Sequence, residues 1–291
     1  MKIQTFSILA GSEACNARCP FCVSKMTPPH GIELKEPAVN WRNFRKACLF
    51  ARQCGVTTAM LTGKGEPTLF PAQVTKYLEA LSEFDFPFIE LQTNGIHIHE
   101  KWEQYDRHLS EWYELGLTTV IISIVHWEAE PNREIYLPHR ERYIDLPRLI
   151  GRLHDKGFSV RLGCIALNGC IDSGAKLEEM IRFARENGVE QLTIRPVNAP
   201  QDTRDVDVFN WTKEHFLTSY QFESLKNYLK LNGTELMRLV HDAIVYDVRG
   251  QNVCLTNCLT LDPDGKEIRQ LIFFPDGHLR YDWQYEGAIL L

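Results

Sequence analysis

The chain has 291 residues, of which 44% are hydrophobic and 24% charged, and its formal net charge is −6. This composition is globular, it leaves room for one large α/β domain or two small ones, and it excludes a disordered chain. No block of like charges is present, which disfavours a nucleic-acid partner, because binding to a phosphate backbone depends on clustered positive charge. The N-terminus lacks signal-peptide features and no apolar run is long enough to span a membrane, so we expect a cytoplasmic protein with no membrane association.

A helical stretch that ends in glycine and leads directly into a β-rich run recurs four times along the chain. Gly55, Gly116, Gly157 and Gly188 suit the left-handed position just after a helix. With two further β-rich runs, the pattern predicts strands near 3–10, 57–62, 88–93, 119–125, 158–166 and 191–196. Helices are predicted near 40–54, 71–84, 100–115, 146–156 and 175–187. This βα series fits either an open doubly wound sheet or a curled, barrel-like sheet.

The alternation stops after Pro200. A helix is predicted over 213–230, followed by two hairpins that turn near 249–251 and 275–277. The sequence therefore predicts an antiparallel appendage behind the βα series.

The strongest chemical motif is CNARCPFC, in which Cys15, Cys19 and Cys22 follow the first strand at C-x3-C-x2-C spacing. Three thiolates on one short loop can hold three corners of an iron–sulfur cube and leave the fourth iron open. An open coordination position is typical of a catalytic metal site. The alternatives are a zinc site with His30 as fourth ligand, or reduced cysteines without a metal.

This motif, including Phe21, resembles the signature of the radical S-adenosylmethionine (radical SAM) superfamily. The resemblance implies a 4Fe–4S cluster on Cys15, Cys19 and Cys22, whose open iron is chelated by S-adenosylmethionine (SAM). Reductive cleavage of SAM would then give a 5′-deoxyadenosyl radical that abstracts hydrogen from a substrate. The resemblance also implies an α/β fold, a partial (β/α)6 barrel over residues 1–198. Residues 199–291 would form a C-terminal α+β extension that covers the barrel mouth.

The turn after the second strand, LTGKGEPTLF, is similar to the glycine-rich segment with which this family binds the amino group of SAM. The resemblance assigns cofactor binding to Gly63, Gly65, Glu66 and Pro67. Because this turn is expected to touch the methionine end of SAM and not the iron, a bulky residue at Gly65 is expected to spare the cluster.

Ligand-contacting residues of a parallel αβ barrel collect at the carboxyl ends of its strands. On that ground and by the resemblance, we expect Thr93, Asn94 and Ser123 to contact SAM or substrate. Ser123 is assigned to the ribose or methionine end of SAM, and Arg161 or Arg195 to its carboxylate. The alternatives are a buried serine bonded to backbone and an arginine in a structural ion pair.

The predicted function is hydrogen abstraction from a small polar biosynthetic substrate, such as a nucleoside or a sugar derivative, with flavodoxin or ferredoxin as electron donor. The alternatives are an activating or peptide-modifying radical SAM enzyme and, in another class, a structural iron–sulfur or zinc module. A second cluster would need four further cysteines, Cys164, Cys170, Cys254 and Cys258. We expect these four instead to be free cysteines that pack as small buried hydrophobic side chains.

Overall fold

The structure is a computed structural model, which describes residues 3–239, 243–256, 268 and 270–291. Strands and helices alternate as the sequence predicts. The first six strands are β1 (Thr5–Leu9), β2 (Thr58–Thr62), β3 (Phe88–Thr93), β4 (Thr119–Ile124), β5 (Ser159–Ala166) and β6 (Gln191–Pro196). The helices of this part are α1 (Val23–Met26), α2 (Trp41–Gln53), α3 (Pro71–Leu81), α4 (Ile96–Glu100), α5 (Trp102–Glu114), α6 (Ala129–Tyr136), α7 (Leu146–Asp155) and α8 (Gly174–Glu186).

Four helices end at the predicted glycines. Gly55, Gly116, Gly157 and Gly188 all have φ between 67° and 95°, a region that side chains with a Cβ atom disfavour. Each glycine therefore lets the chain leave its helix and enter the next strand within two or three residues.

In the described part of the chain after Pro200 there are two helices and five strands. They are α9 (Val206–Glu214), α10 (Ser219–Asn232), β7 (Thr234–Arg238), β8 (Ile244–Val248), β9 (Gln251–Leu255), β10 (Gln270–Phe273) and β11 (Leu279–Arg280). The prediction of one helix over 213–230 is wrong, because Thr218 caps the start of α10 and separates it from α9. Thr218 and Gln221 form a reciprocal capping box there.

The strands β1–β11 of the described residues form one sheet, with the order β11-β10-β1-β2-β3-β4-β5-β6-β9-β8-β7. Strands β1–β6 run parallel to their neighbours, as expected for a partial barrel. The two predicted hairpins are present, β8 with β9 and β10 with β11. The prediction of a purely antiparallel appendage is wrong, because β9 pairs parallel with β6 and β10 pairs parallel with β1.

The two faces of the sheet have different roles. Along β4, Val120, Ile122 and Ile124 are buried in the main hydrophobic core, whereas Ile121 and Ser123 line a cavity on the opposite face. This alternation follows from the two-residue period of a strand. Among the helices of the described residues, none combines the length and hydrophobicity needed to cross a bilayer.

Candidate active site

A cavity of about 810 Å³ opens at the carboxyl ends of the parallel strands. The loop after β1, the turn after β2 and parts of the C-terminal extension complete its wall. The cavity brings together every site residue singled out in the sequence: Cys15, Cys19, Phe21, Cys22, Gly63, Gly65, Glu66, Pro67, Thr93, Asn94, Ser123, Arg161 and Arg195.

The three cysteines lie on the loop between β1 and α1. Cys15 Sγ accepts a hydrogen bond from Ala17 N at 3.4 Å and lies 3.8 Å from Asn94 Nδ2. Burial, together with a smaller contribution from the Glu66 carboxylate, raises the pKa of Cys15 to about 11. Burial also raises the pKa of Cys19, to which the neighbouring thiols of Cys22 and Cys15 add. Metal binding at this loop therefore has to displace protons from the thiols.

The donor set of this loop is three thiols, and thiolate sulfur is the ligand that iron–sulfur clusters use. Zinc needs its ligands to converge about 2.3 Å from a single point. Within the described residues, no three His, Cys, Asp or Glu side chains are placed to hold one metal ion. His30, the alternative fourth ligand, is hydrogen-bonded through Nε2 to the Trp283 carbonyl oxygen at 3.1 Å and packs against Phe274. In a cluster the cysteines bind different irons, so their sulfurs need only surround a shared space.

Glu66 is fully buried, and its carboxylate joins the ends of two strands. Oε1 accepts hydrogen bonds from Thr68 N at 3.0 Å, Thr68 Oγ1 at 2.6 Å and Thr93 Oγ1 at 2.6 Å. Oε2 accepts from Asn94 N at 2.9 Å. Burial raises the pKa of Glu66, while these hydrogen bonds favour the charged form and oppose that shift. The carboxylate therefore holds the turn after β2 against the end of β3.

The glycine-rich turn packs tightly against the cysteine loop. A Cβ atom at Gly65 would lie 2.1 Å from the Ala14 carbonyl oxygen and 2.7 Å from that of Ser12. Glu66 N also donates a hydrogen bond to the Ala14 oxygen at 2.9 Å. Gly65 is thus required by contact between two protein segments, and not only by the approach of a ligand.

The model of the radical SAM superfamily matches residues 10–211 of the sequence, which is more than half of the chain. This chain belongs to the radical SAM superfamily. No match was found among curated protein sequences.

The fold of this radical SAM enzyme is similar to several solved structures. Streptococcus suis SuiB bound to S-adenosylmethionine gives a TM-score of 0.64 at 14% identity, covering 99% of this chain and 62% of that one. SuiB bound to the precursor peptide SuiA gives a TM-score of 0.59 at 15% identity, and the match covers 96% of this chain and 59% of SuiB. Native anSMEcpe with bound AdoMet gives a TM-score of 0.51 at 15% identity, and the match covers 79% of this chain and 60% of anSMEcpe. The chain thus spans about three fifths of the length of these proteins.

The two arginines proposed for the SAM carboxylate differ in their contacts. Arg161 on β5 donates through its terminal nitrogens to Glu90 at 2.6 and 3.0 Å and through Nε to Gln191 at 2.6 Å. These contacts match the alternative of a structural ion pair. Arg195 on β6 has a solvent-shielded Nε with no hydrogen-bond partner. Ser123 lines the cavity from the inner face of β4.

Sequence reasoning missed several cavity residues that come from distant parts of the chain. Lys64 is buried, donates to Thr27 Oγ1 at 2.7 Å and lies 5.7 Å from the centre of the Trp283 ring. Arg204 pairs with Glu13 at 3.6 Å. Lys64 sits inside the glycine-rich turn, so its position was available in the sequence. Nothing local placed Arg204 and Trp283 beside it.

The other cysteines of this radical SAM enzyme do not gather into a second site among the described residues. Cys164 and Cys170 are buried, and each lies near Tyr136. Burial raises the pKa of Cys254, and the nearby Arg161 and Arg195 oppose that shift. Cys258 lies outside the described residues.

Proposed function

We propose that this enzyme binds one 4Fe–4S cluster through Cys15, Cys19 and Cys22, binds SAM beside it, and acts on a small polar molecule in the barrel cavity. The observation that supports this most strongly is that the three cysteines, the glycine-rich turn and the strand ends line one cavity. When bound, such a cluster supplies the electron for reductive cleavage of SAM.

The residues of the chain have separate tasks in this proposal. Glu66 fixes Thr93 and Asn94 relative to the turn, so the backbone and side chains that face SAM are held before the cofactor arrives. Phe21 packs at 6.2 Å from Tyr136 and 6.1 Å from Trp211, which anchors the cysteine loop between α6 and α9. Preorganised contacts of this kind lower the entropy lost on binding.

The size and lining of the cavity support a small polar substrate. Its volume of about 810 Å³ is in the range of small-molecule sites, and Ser7, Gln92, Ser123 and Thr193 add polar groups to its wall. Trp283 and other residues of the extension also line it, which supports a role for residues 199–291 in covering the mouth. A covered mouth would keep a reactive intermediate away from water.

Electron supply is assigned to an external protein. A low-potential cluster needs a reductant, and the sequence contains no flavin motif, so flavodoxin or ferredoxin is the proposed donor.

The proposal is tested by anaerobic reconstitution of wild type, Cys19→Ala and the control Cys54→Ala, which alters a cysteine at the end of α2, outside the cavity lining. Wild type and Cys54→Ala should each bind about four irons per chain and release 5′-deoxyadenosine from SAM under reduction. Cys19→Ala should lose most of the iron and all SAM cleavage. Full iron content in Cys19→Ala would contradict the ligand assignment. Mass spectrometry of molecules released from anaerobically purified protein would then identify substrate candidates.

A further inference from the structure

Arg195 is a half-buried cation whose Nε atom has no hydrogen-bond partner. Its side chain lines the cavity from the carboxyl end of β6, and its Nε is shielded from solvent without a hydrogen-bond partner. Among the described residues, no carboxylate or carbonyl oxygen forms an ion pair or hydrogen bond with its guanidinium. A shielded N–H group without a partner costs stability unless a ligand accepts its hydrogen bond.

The other cations of the cavity are already compensated. Arg161 is paired with Glu90 and Arg204 with Glu13, whereas Lys64 donates a hydrogen bond to the Thr27 hydroxyl and lies over the Trp283 ring. Lys25 is exposed, so water solvates its charge. Among the cavity arginines of the described residues, Arg195 is therefore the one without a carboxylate partner, and it lies close enough to Arg161 for their charges to interact.

The position of Arg195 in the sheet separates it from the methionine end of SAM. The glycine-rich turn follows β2, and β6 is four strands further along the sheet order. At about 4.8 Å per strand, this places the two sites on opposite sides of the curled sheet. The amino and carboxylate groups of SAM share one carbon atom, so a turn at β2 that holds the amino group leaves the carboxylate on that same side. Arg195 then faces the part of the cavity left for the substrate.

Ser7, on β1 beside β2, is another unsatisfied polar group of the cavity wall. Its Oγ is buried, lacks a hydrogen-bond partner and lines the same cavity from β1. Buried polar atoms are normally satisfied, so the orphaned Ser7 Oγ, Tyr136 Oη and Arg195 Nε atoms around one cavity indicate missing polar ligands.

We infer that Arg195 binds an anionic group of the substrate, a carboxylate or a phosphate. This inference rests on the proposed function, because it assumes that SAM occupies the β2 side of the cavity. A planar guanidinium binds either anion through two parallel hydrogen bonds. The substrate class is thereby narrowed from polar molecules to small organic acids or phosphate esters.

The test uses the reconstituted holoenzyme with saturating SAM, so that the carboxylate site of the cofactor is already filled. Thermal unfolding is measured in chloride, inorganic phosphate and succinate at one ionic strength, for wild type, Arg195→Gln and the control Arg204→Gln. The unfolding temperature of wild type and of Arg204→Gln should be about 3 °C higher in phosphate or succinate than in chloride, as expected for a ligand present at about ten times its dissociation constant. Arg195→Gln should show no such gain and should be at least as stable as wild type in chloride.

The affinity for SAM, measured by calorimetry, separates the possible outcomes. The inference requires the dissociation constant of Arg195→Gln to stay within about twofold of wild type. A tenfold weaker SAM affinity would assign Arg195 to the cofactor and overturn the inference. A rise in unfolding temperature with phosphate or succinate that persists in Arg195→Gln, or that is absent in wild type, would also overturn the inference. Failure of the proposed function would instead be seen as wild type that neither binds nor cleaves SAM.

Discussion

Gly65 controls how closely the turn after β2 can approach the cysteine loop. We predict that Gly65→Ala loses iron and stability together, because its methyl group would lie 2.1 Å from the Ala14 oxygen, too close for either backbone to keep its place. Overpacking of this kind costs about 1–3 kcal/mol. Iron content after reconstitution and the urea midpoint of unfolding measure the two effects. The close contact replaces the sequence-based expectation that such a change spares the cluster.

A helical glycine provides the matched control for this prediction. Gly151 lies in α7, and a Cβ atom there would have no neighbour within 4 Å. Gly151→Ala should therefore retain full iron content and gain about 0.5–1 kcal/mol of stability from the better helix former. Normal iron content in Gly65→Ala would contradict the prediction and show that the turn after β2 and the cysteine loop can move apart without loss of the cluster.

Lys64 gives the molecule a pH-dependent stability. Burial lowers the pKa of Lys64 to about 8, from an ordinary value of 10.5 in the unfolded chain. Below pH 8 Lys64 is protonated in both the folded and the unfolded chain, so the free-energy cost of burying its positive charge is fully present. Between pH 8 and 10.5 the folded state releases the proton first, so the contribution of Lys64 to folding stability rises by about 3 kcal/mol in total.

The variant Lys64→Met removes this titration. In cluster-free protein we expect Lys64→Met to be more stable than wild type at pH 7, with the difference shrinking as the pH approaches 10.5. Urea unfolding at a series of pH values measures the trend. Lys25→Met, at an exposed position, should track wild type throughout. A difference between Lys64→Met and wild type that does not change with pH would show that burial does not lower the pKa of this lysine.

Among the secondary-structure elements, those with a local signal were predictable. Four of the strands, β2, β4, β5 and β6, follow a helix with a glycine at its end, and all of β1–β6 are buried β-rich runs, so they lie where the sequence predicts them. The family resemblance selected the curled sheet over the open one. The cysteine loop and the glycine-rich turn were likewise visible, because their residues are adjacent in sequence.

The elements that sequence reasoning misplaced depend on long-range pairing. A hairpin pattern identifies the antiparallel partner of a strand, which for β9 is β8 and for β10 is β11. A hairpin pattern carries no information about the opposite edge of the same strand, where β9 pairs in parallel with β6 and β10 pairs in parallel with β1. The same limit applies to Trp283, which reaches Lys64 across more than two hundred residues.

At the scale of the whole molecule, the C-terminal extension is part of the sheet that forms the barrel. Phe273 of β10 is fully buried and packs 5.1 Å from the ring of Phe44 on α2. Val253 of β9 is also fully buried, in register with Leu192 of β6. The Asn40 N–H donates to the Pro275 carbonyl oxygen at 2.8 Å, which ties the start of α2 to the second hairpin.

A chain that ends at Pro200 should therefore be insoluble. The truncation would expose the backbone edges of β1 and β6 and uncover their apolar neighbours, and open strand edges of this kind promote aggregation. The soluble fraction after centrifugation measures this outcome. Trp283→Ala, which retains every strand and opens only the wall beside Lys64, should stay soluble, bind iron and SAM, and cleave SAM with less substrate converted per cleavage. A soluble truncation with normal coupled turnover would show instead that the βα core folds and works without β9 and β10.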